Sequence, residues 1–405
     1  MKGLYKLGAV ATTVMLSLMV VTTSISADDR GADWTFMIYL DADNNLEPYG
    51  ITNLEWLEGV GSKSGEVNFV VLMDTLTGPA DLLYVENPKS VSIGSEYGFP
   101  KEVNMADPAV LEEFVVNAIN DYPADKYALI LWDHGGGWRG LCWDDTADLL
   151  PTGEEDCITM KELRTALVDA KDQTNEVIDV VGFDLCLMAM PEVAYQVRDL
   201  ADYVVFSEET VPGYGFPYDS IAGDLVANPS MDGEQLSSMI VEDYAEYYSS
   251  MAGYCDWTIS AFNMTHMDDL KDAVDVLGAE LLDGLLVYMN YIQRDLINAQ
   301  RYYYPYNVDL KGFAMNLCKD SAIADNDLKK AAETVQEVVE AGVSACINGL
   351  HNDASYGLAI YVPSTNDGMH SIKDAYAEVP FATETSWYDF VSAFSNWEGR
   401  TWGTG

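Results

Sequence analysis

Between Trp34 and Glu208 the chain alternates two kinds of segment. Short, nearly unbroken apolar runs appear at WTFMIYL (Trp34–Leu40), VNFVVLMD (Val67–Asp74), YALILW (Tyr127–Trp132), VIDVVGF (Val177–Phe183) and YVVFSE (Tyr203–Glu208). They are rich in Val, Ile, Leu and Phe and bounded by turn or polar residues, the pattern of strands buried on both faces. Between them, PAVLEEFVVNAINDY (Pro108–Tyr122) and TMKELRTALVDAKD (Thr159–Asp172) place apolar residues at three- and four-residue intervals, as amphipathic helices do. Strand alternating with helix predicts a mostly parallel sheet flanked by helices, an α/β fold.

Beyond residue 232 longer helical patterns dominate, at Gln235–Met251, Asp268–Ile297 and Asn326–Asn348. Two strand candidates interrupt them, WTISAFNM (Trp257–Met264) and GLAIYVP (Gly357–Pro363). No linker, low-complexity tract or internal repeat separates the halves. Residues 28–232 therefore read as an α/β core, and residues 233–405 as a helix-rich part that packs on the sheet or extends it.

Composition then narrows the class. At 405 residues and 49% hydrophobic the chain can bury a large core, despite 66 acidic against 21 basic residues. A net charge of −45 repels nucleic acid and anionic membrane, which argues against both as partners. The surplus is spread along the chain, fitting either a surface adapted to a saline medium or a sink for divalent cations. The start settles the compartment. Lys2 and Lys6 precede an apolar stretch, Leu7–Val21, and small polar residues to Ala27, the order of a secretory signal. The stretch is short for a membrane span, which takes about 20 residues. The expectation is a leader over residues 1–27 and an exported monomer, with an uncleaved N-terminal tether as the alternative.

Cysteine and histidine are sparse. Six cysteines (Cys142, Cys157, Cys186, Cys255, Cys318, Cys346) show no CxxC spacing, and there are only four histidines. A His/Cys zinc cluster is not expected. In DADNN, Asp41, Asp43 and Asn45 have the opening spacing of an EF-hand, but Leu46 stands where the loop needs glycine. That segment instead caps a helix at Leu46 or lines an active-site edge.

The chemistry concentrates in two stretches. ILWDHGGGWRG puts His134 just after one apolar strand, and VIDVVGFDLCLMAM puts Cys186 just after another. In open parallel sheets, functional groups collect at the carboxyl ends of strands near the point where strand order reverses. Gly135, Gly136 and Gly137 remove side chains beside the imidazole and let a substrate backbone approach. Cys186 sits where strand gives way to helix, with Pro191 suited to the first turn. A helix N-terminus and an imidazolium both favour thiolate, so a Cys–His pair can serve as nucleophile and base.

DHGGGW followed by FDLCLMAMPEVAYQV resembles the clostripain family of cysteine endopeptidases, relatives of caspases, legumains and gingipains. MIYLDADNNLE, SEETVPGYGFPY, YNVDLKGFAMNL and YGLAIYVP extend the resemblance over nearly the whole chain after the leader. It implies a caspase-like fold with His134 as catalytic histidine and Cys186 as nucleophile. The oxyanion donors would be the Cys186 N–H and one from Gly135 or Gly136. Asp184 matches the carboxylate that receives an Arg or Lys side chain; it also suits a local helix cap. Glu208 and Glu209, after the next strand, are further candidates for that pocket wall. The substrates would be peptides or proteins cut after Arg, and less well after Lys. The chemistry needs no cofactor. Some family members depend on calcium, and this acidic chain is suited to it, with no metal site placed.

One departure concerns maturation, since family members can cut themselves between the catalytic His and Cys. Here Leu141–Met160 contains no Lys or Arg, which puts a two-chain form in doubt. Cys142 and Cys157 bracket the loop, and export would permit a disulfide between them. Against the peptidase stands a catalytically silent binding protein that holds basic peptides in the same acidic pocket. A cation-binding protein whose acidity is its function leaves both motifs unexplained.

Overall fold

The computed structural model describes residues 31–147, 156–363 and 375–401. The expected leader, residues 1–27, lies outside them, as does the 148–155 part of the loop between Cys142 and Cys157. Strands are β1 (Ala32–Ala42), β2 (Val67–Thr75), β3 (Gly78–Tyr84), β4 (Val91–Ser92), β5 (Ala124–Trp132), β6 (Ile178–Asp184), β7 (Ala201–Phe206), β8 (Thr258–Asn263), β9 (Asn307–Asp309), β10 (Val343–Asn348) and β11 (Ala359–Tyr361). Helices are α1 (Glu47–Val60), α2 (Pro108–Asp121), α3 (Met160–Thr174), α4 (Pro191–Ala194), α5 (Tyr218–Ala227), α6 (Gly233–Ser250), α7 (Met267–Ile297), α8 (Leu310–Lys319), α9 (Asn326–Gly342), α10 (Pro380–Thr383) and α11 (Trp387–Thr401).

Nine strands form one sheet in the order β10-β8-β7-β6-β5-β1-β2-β3-β4, and β9 pairs with β11 separately. The five strands from β7 to β2 run parallel, while β8, β10, β3 and β4 extend the two sides antiparallel. In β1 the alternation of side chains is visible directly. Met37 and Tyr39 join the core under α2, α3, α7, α8, α9 and α11, whereas Trp34, Phe36, Ile38 and Leu40 join the one under α1, α5 and α6. Burial on both faces explains the unbroken apolar runs.

Local chemistry sets the helix ends. Thr159 with Glu162 and Asp232 with Gln235 form capping boxes at the starts of α3 and α6, satisfying backbone donors the helix cannot. The predicted helix Asn326–Asn348 is corrected: it stops at Gly342, and Val343–Asn348 becomes β10, paired with β8. Pairing along the sheet outweighs helical periodicity over those six residues. Residues beyond 232 thus both extend the sheet, through β8 and β10, and cover it, chiefly through α7, α9 and α11.

Strand order turns between β1, whose other neighbour is β2, and β5, which begins the run to β7. Loops leaving the carboxyl ends of β1, β5 and β6 therefore meet around one crevice.

Candidate active site

Trp132 of β5 and Asp184 of β6 are register partners, and each is the last residue of its strand. His134 and Cys186 each follow two residues later, so the two loops leave the sheet in step. Both side chains line a cleft of about 140 Å³, together with Asp184, Leu46, Trp132, Val211, Pro212 and Gly215.

Cys186 sits on a tight turn. Leu187, directly after it, is in the left-handed region at φ 67°, uncommon for a leucine. The turn is pinned to the loop after β7: Leu187 N–H donates to the Glu209 carbonyl at 3.1 Å, and Ala189 N–H to the Ser207 carbonyl at 2.9 Å. The Val211 N–H donates to the Cys186 sulfur at 3.3 Å. Burial nonetheless pushes the thiol up to about 11, and the Asp184 carboxylate adds to the shift. The expected thiolate-favouring helix is corrected as well. α4 begins only at Pro191 and is four residues long, too far and too short to charge the sulfur.

His134 takes its orientation from Asn45 of DADNN, a contact that the sequence did not foresee. Its Nε2 lies 2.9 Å from Asn45 Oδ1, and an amide oxygen only accepts, so Nε2 carries the proton. The lone pair is then on Nδ1. Burial lowers the imidazole pKa, keeping the ring neutral. Asn45 is held in place by its neighbour: Asn44 donates from Nδ2 to Asp133 Oδ1 at 2.6 Å and to the Trp143 carbonyl at 3.2 Å. Asn44 Oδ1 also accepts from Leu46 N–H at 2.8 Å, starting the chain into α1. DADNN thus lines the active-site edge, and Leu46 enters the helix without a side-chain cap of its own.

Asp184 is 3% exposed. Its Oδ2 accepts from Phe216 N–H at 2.9 Å and Tyr218 O–H at 3.0 Å, while Oδ1 has no partner among the described residues. Burial pushes this carboxyl up to about 7 despite the two hydrogen bonds. Gly215 (φ 63°) packs on it; a Cβ there would meet Asp184 Oδ2 at 2.5 Å. The aspartate is tied to the segment before α5 and does not cap a helix.

Other expected site residues lie elsewhere. Glu208 turns into a buried cluster, accepting from Tyr302 O–H at 2.7 Å and Gly357 N–H at 3.2 Å and facing Asp309. The Glu209 carboxylate accepts from Thr210 N–H and Tyr303 N–H. Neither side chain lines the cleft; the contribution of Glu209 is its backbone carbonyl, which holds the turn at Cys186. Gly136 N–H donates to the Gly140 carbonyl at 3.0 Å, so it is already committed and does not suit an oxyanion. Cys142 and Cys157 are both free thiols, the first fully buried at φ 56°, correcting the expected disulfide. Among the described residues, two groups bring possible metal-ligating atoms together: Asp41, Asp133 and Cys142, and Asp43, Asp74 and Glu102.

The Cys186 thiol, the His134 imidazole and the Asp184 carboxyl thus share one cleft. The clostripain family pattern covers residues 38–397. Clostripain of Hathewaya histolytica is 26% identical, the alignment covering 91% of this chain and 82% of that protein. Among solved structures, a secreted C11 cysteine protease of Bacteroides thetaiotaomicron, bound to an irreversible peptide inhibitor, superposes with a TM-score of 0.63 at 21% identity, over 89% of this chain and 99% of that one. An inactive zymogen C11 protease of Parabacteroides distasonis gives 0.63 at 21%, over 88% and 98%. Those likenesses establish a shared fold, and the family pattern spans nearly all of the described sheet and both motif loops: the chain is a cysteine peptidase belonging to the clostripain family.

Proposed function

We propose that the chain is an exported endopeptidase that cuts after Arg, and less well after Lys, through Cys186 and His134. The observation that carries this reading is the unpartnered Asp184 Oδ1, buried on the same cleft as the thiol and imidazole. A guanidinium can meet a carboxylate with two parallel charge-assisted hydrogen bonds, where an ammonium offers a point charge. Export is supported by the leader-like start and by the secreted relative. No described helix is long and apolar enough to cross a membrane.

The resting pair is a thiol and a neutral imidazole. When a peptide fills the cleft, the Cys186 proton passes to His134 Nδ1 and Sγ bonds the scissile carbonyl carbon. The oxygen takes the negative charge and is met by the N–H groups of Gly135 and Cys186, donors of a kind that commonly supply about 3 kcal/mol. His134 returns its proton to the departing amine, leaving a thioester. Water, losing a proton to His134, then releases the acid and restores the thiol. Nucleophile, base and oxyanion donors in this sequence are all groups of this chain.

Incubating the protein with a fluorogenic peptide ending in Arg, before and after iodoacetamide, tests the reading. Release of the fluorophore that disappears on alkylation, and in Cys186→Ala and His134→Ala, is expected. Release persisting in Cys186→Ala would refute it.

A further inference from the structure

Glu208 stands between the two residues whose carbonyls fix the turn at Cys186. The Ser207 carbonyl accepts from Ala189 N–H and the Glu209 carbonyl from Leu187 N–H, while Ala359 N–H donates to the Ala189 carbonyl at 2.8 Å. Thr258 Oγ1 accepts from the N–H groups of Glu208 and Glu209, at 2.8 and 3.1 Å. With its backbone held so, Glu208 reaches across to the later part of the chain, where Gly357 N–H donates to its Oε2 at 3.2 Å. A closed ring therefore runs from the Cys186 turn through residues 207–209, the Glu208 carboxyl and residues 357–359, back to the turn.

That side chain meets a second carboxyl. Glu208 is 1% exposed and Asp309 is 0%, and the two face each other within hydrogen-bond reach. No Lys or Arg is among the charges bearing most on either. The Tyr302 hydroxyl lies 2.7 Å from Glu208 Oε1, 3.3 Å from Asp309 Oδ2 and 3.0 Å from Ser355 Oγ, and its one proton serves only one of them. Two ionised carboxylates in contact, dry and without a cation, repel too strongly to coexist, so one proton lies between them. Asp309 is the better supplied with donors: Gly312 N–H meets its Oδ1, and Tyr356 N–H its Oδ2 at 2.7 Å. Charge thus belongs on Asp309 and the proton on Glu208.

We propose that Glu208 is a positioning residue for Cys186, a neutral carboxyl that donates its proton to Asp309 and so clasps residues 207–209 to the later chain. Burial, and after it the Asp309 charge, push the Glu208 carboxyl well above the usual range, in keeping with that assignment. Tyr302 and Cys346 also face the pair, and burial keeps both protonated. Lys311, whose charge reaches Cys346, pairs with Glu340 at 3.3 Å. Glu209 turns to the Thr210 and Tyr303 N–H groups. Losing the shared proton at high pH puts two negative charges in contact and opens the clasp. The effect on rate rests on Cys186 being the nucleophile; the pairing does not.

Glu208→Ala and Glu208→Gln test this through kcat and KM for an Arg peptide, and through denaturant unfolding, between pH 6 and 10. Gln keeps an N–H donor for Asp309 and an acceptor for Gly357 but cannot ionise. Its kcat at pH 7 should stay within about twofold of the unaltered chain, whereas Glu208→Ala should lose about 10- to 100-fold with KM nearly unchanged. Unchanged kcat in Glu208→Ala would overturn the positioning role. A raised carboxyl stabilises the fold fully below its unfolded value of about 4.3, and that contribution is lost as pH rises through the folded value. The unfolding midpoint of the unaltered chain should therefore fall relative to that of Glu208→Gln as pH rises. This arm needs no activity, so it stands even if Cys186 is not the nucleophile; a constant difference would overturn the shared proton. If Glu208→Ala does not fold, Glu208→Gln decides alone: its kcat should persist at alkaline pH where that of the unaltered chain declines, and a parallel decline would overturn the proposal.

Discussion

Gly135 packs directly on the backbone of Cys186: a Cβ on Gly135 would stand 2.3 Å from the Cys186 carbonyl oxygen and 2.9 Å from its nitrogen. The glycine beside the histidine thus sets how closely the loops carrying His134 and Cys186 approach. Gly135→Ala must push them apart, because both contacts are to backbone. We expect a loss of about 1–3 kcal/mol in stability, as for overpacking elsewhere, and a fall in kcat of about 100-fold. Thermal melting and steady-state kinetics on an Arg peptide check this; unchanged kcat would separate Gly135 from the site.

In the proposed mechanism Asn45 is a positioning residue, reaching the reaction only through the ring it holds. Asn45→Ala should lower kcat by about 10- to 100-fold while leaving KM for the peptide nearly unchanged, because the imidazole loses its fixed tautomer and direction. Asn45→Asp, which still accepts from Nε2, should recover part of the rate and shift the pH profile upward, since a carboxylate favours imidazolium. A rise in KM alone would place Asn45 in substrate binding.

The thiol, pushed up to about 11, should be poorly reactive in the free protein. Alkylation by iodoacetamide should be slow at pH 7 and accelerate through pH 10, whereas a thiolate-imidazolium pair would already react at its full rate at neutral pH. A rate already at its plateau below pH 7 would show a preformed ion pair.

The Asp184 carboxyl titrates near 7 when folded and near 3.9 when unfolded, so the folded state holds the extra proton between these values. The slope of unfolding free energy with pH is then negative: this group's contribution is fully present below about pH 4 and is lost as pH rises through about 7. Asp184→Asn should flatten that part of the stability curve. In the active protein, KM for an Arg peptide should fall as pH rises through about 7, because only the ionised carboxylate attracts the guanidinium. Denaturant unfolding and KM measured between pH 5 and 8 would check both signs.

The hydrophobic pattern revealed much of this architecture because β1, β5, β6 and β7 are buried on both faces and must be apolar throughout. It misplaced Val343–Asn348 because a strand on the sheet's rim, partly exposed, continues the spacing of the helix before it. That His134 and Cys186 share one cleft was legible because strand ends and glycines mark them, whereas Asp184 was singled out by the family resemblance. Asn45 was named only within DADNN, as capping a helix or lining the active-site edge; its contact with His134 was not legible, since it depends on β1 lying beside β5, a neighbourhood that sequence order does not state. Glu208 misled for the converse reason: it follows β7 in sequence, yet turns toward Tyr302 and Asp309 in the part of the chain that comes later. The disulfide expectation failed on local detail, with Cys142 buried in a left-handed turn and its thiol free.

Comparing kcat/KM for two peptides that differ only in Arg or Leu before the scissile bond, in the unaltered chain and in Asp184→Asn, tests the central claim most directly. A buried carboxylate left unpaired by Leu should give the unaltered chain a preference for Arg of roughly 1,000-fold or more. Asp184→Asn should lose most of that preference while still reacting with an alkylating agent at Cys186. Equal cleavage after Arg and Leu by the unaltered chain, or a preference that Asp184→Asn leaves intact, would contradict the account.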